Sequence, residues 1–110
     1  MQTANGGEFL SPSGNISCEV DYQRANITTQ VFCQTVTPAR SATMGPGGTY
    51  TTCTGTQCLG NPGLNTPTLA YGTVTGVGPY RCSSATTGVT CTANGRGFRI
   101  STSGITSVSG

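Results

Sequence analysis

Six cysteines stand at positions 18, 33, 53, 58, 82 and 91 of a 110-residue chain, and together with the residues around them they limit the fold more than any other feature. A chain of this length builds one domain with a small core. So many cysteines in it point to a disulfide framework formed in an oxidising compartment. The competing reading is a reduced chain with cysteines as metal ligands, which needs C-x2-C pairs or histidine partners. Cys53 and Cys58 are spaced C-x4-C, and the chain has no histidine. The same absence leaves a catalytic thiol without its base.

The outer four cysteines sit in segments whose pairing is readable. From Ile16 to Tyr22 apolar and polar residues alternate strictly, which is the period of a half-buried strand. Ile16, Cys18, Val20 and Tyr22 are expected to face the core; Ser17, Glu19 and Asp21 are expected to face solvent. A return strand from Thr29 to about Val36 sets Cys18 opposite Cys33, Val20 opposite Val31, Tyr22 opposite Thr29 and Ile16 opposite Thr35. A slip of one residue would turn the apolar set outward.

In the second region, Gly78 to Ser101, Cys82 opposite Cys91 leaves Ala85-Thr86-Thr87-Gly88 as a hairpin loop. Asn94-Gly95 then signals a tight turn, with Ala93 opposite Arg96, Cys91 opposite Phe98 and Val89 opposite Ile100. This predicts a three-stranded meander. Its inner face carries Tyr80, Cys82, Val89, Cys91, Phe98 and Ile100, and its outer face carries Arg81, Ser83, Thr90, Thr92 and Arg99. Facing strand positions bring Cβ atoms within disulfide reach. The registers therefore predict Cys18–Cys33 and Cys82–Cys91, and Cys53–Cys58 remains as a small ring across a Gly turn. "GNISC" resembles "GPYRC" and "VFC" resembles "VTC". An internal repeat would produce this, and so would two stapled hairpins packed face to face.

Between these regions Arg40 to Gly48 reads as loop, Thr49–Thr52 and Leu69–Thr75 as strands, and "GNPGLNTP" as turn chemistry. Residues 1–7 are expected as a flexible tail, 8–101 as a single β domain, and 102–110 as an edge strand through Ile105 and Val108 or a further tail. No segment holds a 3.6-residue period, and no apolar run is long enough to span a membrane. The expected fold class is all-β: a small disulfide-stapled antiparallel β-sandwich or half-open barrel built from hairpins. "MQTANGGEFL" has neither the basic nor the apolar region of a signal peptide. The expectation is that an export signal or anchor has been cut away and that Met1 was added for expression.

Charge and side-chain inventory narrow the chemistry. Charged residues make up 7% of the chain, against ~25% in an average soluble domain. A net charge of +2 is a weak footprint for nucleic-acid binding. Without histidine or lysine, neither a Ser–His–Asp triad nor a Ser–Lys dyad can form, so Ser13 in "SPSGN" has no base. Glu8, Glu19 and Asp21 are the only side-chain acids. Glu19 and Asp21, about 7 Å apart along a strand, have the spacing of a glycosidase carboxylate pair and are weak candidates for a calcium site. The solvated face of an amphipathic strand accounts for them equally. No cofactor is expected.

Arg81, Arg96 and Arg99 cluster on the predicted meander. Arg81 and Arg99 share its outer face with hydroxyls and could take a phosphate, a sulfate or an acidic sugar; solubility of a charge-poor chain accounts for them too. Tyr22, Tyr50, Tyr71 and Tyr80 could stack on sugars, although the register turns Tyr22 and Tyr80 inward. The sequons at Asn15 and Asn26 are of a kind that arises by chance in a chain so rich in Ser and Thr.

"FLSPSGNISC" near the start, "LAYG" at residues 69–72, and "CSSATTGVTC" followed by "GRGF" resemble a small exported actinobacterial domain of unknown function, including mycobacterial forms. The resemblance runs from Phe9 to about Ser101. It implies secretion or attachment at the cell envelope and brings no catalytic residues with it. The functional expectation is a secreted or cell-envelope binding module, not an enzyme, with the ectodomain of a larger sensor or adhesive protein as one form of it. Its partner would be a protein or glycan at the cell surface, with no nucleic acid and no direct membrane insertion of this segment. The alternatives are a structural component of a surface layer or virion, and a secreted inhibitor or toxin working through an exposed loop such as Arg40 to Gly48.

Overall fold

The computed structural model describes residues 6–23, 28–60 and 66–109. Arg24, the sequon at Asn26, most of "GNPGLNTP" and the first five residues of the expected tail lie outside them. The described residues form two five-stranded antiparallel sheets, each a meander in which consecutive strands are neighbours. The first contains β1 (Gly6–Leu10), β2 (Ile16–Asp21), β3 (Gln30–Thr35), β4 (Arg40–Met44) and β5 (Tyr50–Thr54). The second contains β6 (Val74–Val77), β7 (Tyr80–Ala85), β8 (Gly88–Ala93), β9 (Arg96–Ser101) and β10 (Gly104–Ser109). The sheets pack face to face around one core, which gives a disulfide-stapled β-sandwich.

Local pattern sets most of this. β2 and β3 pair with Ile16 opposite Thr35, Cys18 opposite Cys33 and Val20 opposite Val31, and those six side chains are all buried. β7, β8 and β9 pair with Cys82 opposite Cys91, Cys91 opposite Phe98 and Ala93 opposite Arg96. Asn94 and Gly95 both take positive φ, 56° and 85°, as a two-residue turn matching the strand twist requires. The residues expected on the inner face of this meander are all fully buried.

Cys18–Cys33 and Cys82–Cys91 join as the registers imply, and Cys53–Cys58 forms the remaining bridge. In both core disulfides the Cα atoms are 4.1 Å apart, close to the short spacing of facing residues that exchange no backbone hydrogen bonds. The two bridges meet at the centre of the sandwich, with Cys33 Sγ 3.7 Å from Cys91 Sγ.

The sheets repeat one layout. One row across the first runs Phe9, Cys18, Cys33, Ala42, Thr52; its counterpart runs Thr75, Cys82, Cys91, Phe98, Ser107. Arg40 opens β4 and Arg96 opens β9, and each reaches to a turn of the opposite sheet. Arg40 Nη1 donates to the carbonyl of Thr102 at 3.2 Å. Arg96 Nε donates to the carbonyl of Gly47 at 3.0 Å, and its Nη2 donates to Thr49 Oγ1 at 2.9 Å. "GNISC" leads into β2 and "GPYRC" into β7, the second strands of the two meanders.

Several elements differ from the sequence expectation. Arg40 to Gly48 is not a loop: Arg40–Met44 is β4, hydrogen-bonded on both sides to β3 and β5. Its inward residues, Ala42 and Met44, are not strong strand formers, and glycines follow closely, so pairing rather than propensity decides it. What remains outside strands is the turn at residues 45–49, where Pro46, Gly47 and Thr49 are exposed. The strand expected at Leu69–Thr75 begins at Val74 instead, because Gly72 turns the chain with φ 84°. Leu69 has a different role: Leu10 N donates to the Pro67 carbonyl and Leu69 N donates to the Leu10 carbonyl, both at 2.8 Å, which covers part of the free edge of β1. The hairpin loop after Cys82 is Thr86-Thr87 alone, since Ala85 pairs with Gly88. Gly6 and Gly7, expected in the tail, belong to β1, and the last residues form edge strand β10.

Tyr22 lies just past the end of β2, so its pairing with Thr29 does not form; it packs half-buried against the core. Asp21 departs furthest. It was expected on a solvated face and is 2% exposed, because the alternation of β2 ends at this residue and both Val20 and Asp21 are covered.

Candidate functional site

The cysteines do no chemistry at the surface of this fold. Sγ atoms of Cys18, Cys33 and Cys91 gather within 4.8 Å of one another, but each belongs to a disulfide and offers no thiolate to a metal. Ser13 is held in a hydrogen-bonded turn rather than poised as a nucleophile. Its Oγ lies 3.0 Å from Ser11 Oγ and accepts from Asn15 N at 3.2 Å. Ser11 N donates to the Ile16 carbonyl and Gly14 N to the Ser11 carbonyl, both at 2.8 Å. The Asn15 side chain clamps this turn to the one after β3: its Nδ2 donates to the Thr37 carbonyl and its Oδ1 accepts from Thr37 N, each at 3.0 Å. The first sequon asparagine is therefore engaged at both ends of its amide.

The carboxylates take different surroundings. Glu19 stands opposite Glu8 on β1, a neighbour that pattern reading of β2 alone did not supply. Both line a small cavity of about 100 Å³ with Phe32, Gln34 and Gly60. Asp21 does not line it. Gln34, buried on this outer side, exchanges two hydrogen bonds with Gly60, Nε2 to the carbonyl at 3.1 Å and N to Oε1 at 2.7 Å. These bonds dock the Cys53–Cys58 segment over the sheet.

Asp21 acts instead on Tyr80, which is fully buried in the second sheet. Burial first, and then the Asp21 charge, raise the Tyr80 phenol above its usual range. The neutral phenol is the form the fold favours, so above pH ~10 the folded chain binds more protons than the unfolded one. This contribution to stability is complete below that pH and is lost as pH rises through the unfolded and then the folded pKa. The Tyr80 hydroxyl has no hydrogen-bond partner among the described residues. Tyr80→Phe is therefore expected to be at least as stable as the parent at pH 7, by up to ~1 kcal/mol, and to resist alkali better. A circular-dichroism titration in which both chains unfold at the same alkaline pH would show that other groups control the transition.

The arginines do not form the expected cluster. Arg96 is held across the sheet interface as described above, away from the face that Arg81 and Arg99 share. Arg81 folds back so that its Nη1 donates to the Tyr80 carbonyl at 2.9 Å. Arg99, opposite Thr90 on β9, is exposed and makes no hydrogen bond or ion pair among the described residues.

Arg99 borders a cleft of about 520 Å³ at one end of the sandwich; a second concavity, of about 820 Å³, is lined by Tyr50, Thr52, Arg96 and Ser107. Four segments meet at the Arg99 cleft: the β1–β2 turn with Ser11, Ser13 and Asn15; Tyr71 before β6; the β7–β8 turn with Thr86 and Thr87; and the β9–β10 turn with Thr102 and Ser103. Tyr71 is 47% exposed. The other tyrosines serve the fold. Tyr50 packs against Phe98 at 5.4 Å between ring centroids, and its hydroxyl lies 2.7 Å from Ser107 Oγ. No carboxylate lines the cleft.

The chain matches no family model, and no curated protein or solved structure is significantly similar to it. What the fold defines is a class: a small all-β sandwich whose three disulfides belong to an oxidising, extracellular-type environment. No helix among the described residues is long and apolar enough to cross a membrane.

Proposed function

We propose that this chain is an exported, non-catalytic binding module of the cell envelope, and that the cleft at the end of its sandwich takes a polyhydroxylated ligand, a surface glycan. The observation that carries this reading is the composition of the cleft: serine and threonine hydroxyls from several turns around an exposed tyrosine ring. Hydroxyls both donate and accept, which suits a ligand that does the same at many positions. An aromatic ring offers an apolar face to sugar C–H groups. The volume is within the ~300–1,000 Å³ range of small-molecule sites. The side chains lining the cleft include no acid–base pair, in keeping with binding rather than turnover. The resemblance to exported actinobacterial domains and the three disulfides support an envelope setting.

The test is a titration of the isotopically labelled protein with short oligosaccharides, followed by amide shifts. Shifts centred on the β7–β8 and β9–β10 turns and on Tyr71 are expected. An absence of shifts with every saccharide, or shifts confined to the opposite end of the sandwich, would overturn the reading.

A further inference from the structure

We infer that the cleft selects a saccharide bearing an anionic substituent, a uronate carboxylate or a sulfate or phosphate ester, and that Arg99 holds it. This rests on the reading of the cleft as a glycan site and adds the ligand's charge. The four described arginines differ in what they do. Arg40, Arg81 and Arg96 each donate to backbone carbonyls, of Thr102, Tyr80 and Gly47 respectively. Arg99 alone among them has no such partner, and it is the one that lines the cleft.

A guanidinium presents five donors in a planar fork that matches a carboxylate, sulfate or phosphate. With no carboxylate among the lining residues, nothing in the cleft neutralises it. In a chain with only five basic residues, this leaves one positive charge aimed at a wall of hydroxyls. The supporting strand is interior, paired to β8 and β10, so the backbone from which Arg99 projects is set before a ligand arrives. Tyr71, which lines the same cleft, supplies a contact that does not depend on charge. The two residues divide the work: Tyr71 binds the sugar ring of any saccharide, and Arg99 discriminates by substituent.

The experiment compares a neutral oligosaccharide, a uronate oligomer and a sulfated oligomer of equal length, together with inorganic phosphate alone, by amide-shift titration. The parent chain and the variants Arg99→Gln, Arg99→Lys, Tyr71→Ala and Arg81→Gln are used, each first checked for parent-like amide dispersion. Acidic oligomers are expected to bind the parent roughly 10-fold more tightly than the neutral one, as a charge-assisted fork contact allows. Arg99→Gln should bring acidic and neutral oligomers to equal affinity, Arg99→Lys should restore part of the preference, and Arg81→Gln should preserve it. Tyr71→Ala should weaken both kinds of ligand. Uronate binding should fall below about pH 4 as the carboxylate protonates, while sulfate binding persists, which distinguishes the two anions.

Equal affinity for acidic and neutral oligomers, or an acidic preference that survives Arg99→Gln, would overturn this inference and leave the glycan reading intact. Phosphate alone binding as tightly as the acidic oligomers would reduce the site to a simple anion site and overturn it as well. Failure of every saccharide to bind would overturn both.

Discussion

Replacing all four core cysteines with alanine is expected to leave the chain unfolded at 25 °C, whereas opening Cys53–Cys58 should leave the fold intact. The loops closed by Cys18–Cys33 and Cys82–Cys91 span 15 and 9 residues. Chain-entropy arguments give about 3 and ~2.6 kcal/mol for loops of those lengths. Their sum of roughly 5–6 kcal/mol is comparable with the whole stability of a small domain, ~5–15 kcal/mol. The two bridges also touch at the centre of the core, so replacing them leaves a void where the sheets meet and adds a cavity term. Cys53, by contrast, is exposed on edge strand β5, and its ring closes only a short loop. Graded reduction followed by alkylation and mass spectrometry should show this bridge opening first with near-UV circular dichroism retained. The other two should open only together with loss of that signal. Simultaneous opening of all three, or full tertiary signal after all are reduced, would contradict the framework.

Phe98→Ala should cost about 3–5 kcal/mol, the range for deleting a fully buried aromatic side chain. Phe98 has no exposed surface. It lies in the row of Cys82 and Cys91, and its ring packs on Tyr50 from the other sheet at 5.4 Å. Deleting it empties the seam between the sheets. Phe32 provides the control: it is on the outer side of the first sheet, half-buried beside Glu19 and Gly60, and Phe32→Ala should cost only about 1–2 kcal/mol of lost burial. Urea unfolding with unchanged m-values checks both. Equal losses for the two substitutions would mean that the core has been placed on the wrong face.

Much of this fold is legible along the chain. The alternation in Ile16–Tyr22 and the Asn94-Gly95 turn encode strand faces and registers locally; two disulfides follow from those registers and the third from the cysteines left over. The misses have a common cause. β4 contains Ala42 and Met44, which signal no strand until β3 and β5 hydrogen-bond to it from both sides. Asp21 obeys the alternation of its strand yet is buried, because what covers the end of β2 is distant in sequence. The three arginines read as one cluster, since strand parity was applied to Arg81 and Arg99 while Arg96 was included by proximity. Its register at the start of β9 sends it to the β4–β5 turn instead.

The sequence by itself determined the class of fold, the disulfide pairs and the lack of common catalytic bases, because a two-residue period, tight turns and the side-chain inventory are local or compositional properties. Only the tertiary structure decided which described arginine keeps its side chain without a hydrogen bond and that it lines one cleft with Tyr71. The cleft is assembled from turns that span Ser11 to Thr106. They meet because two sheets bury their inner faces against each other, and that burial is a property of the whole chain, which no single stretch of it encodes.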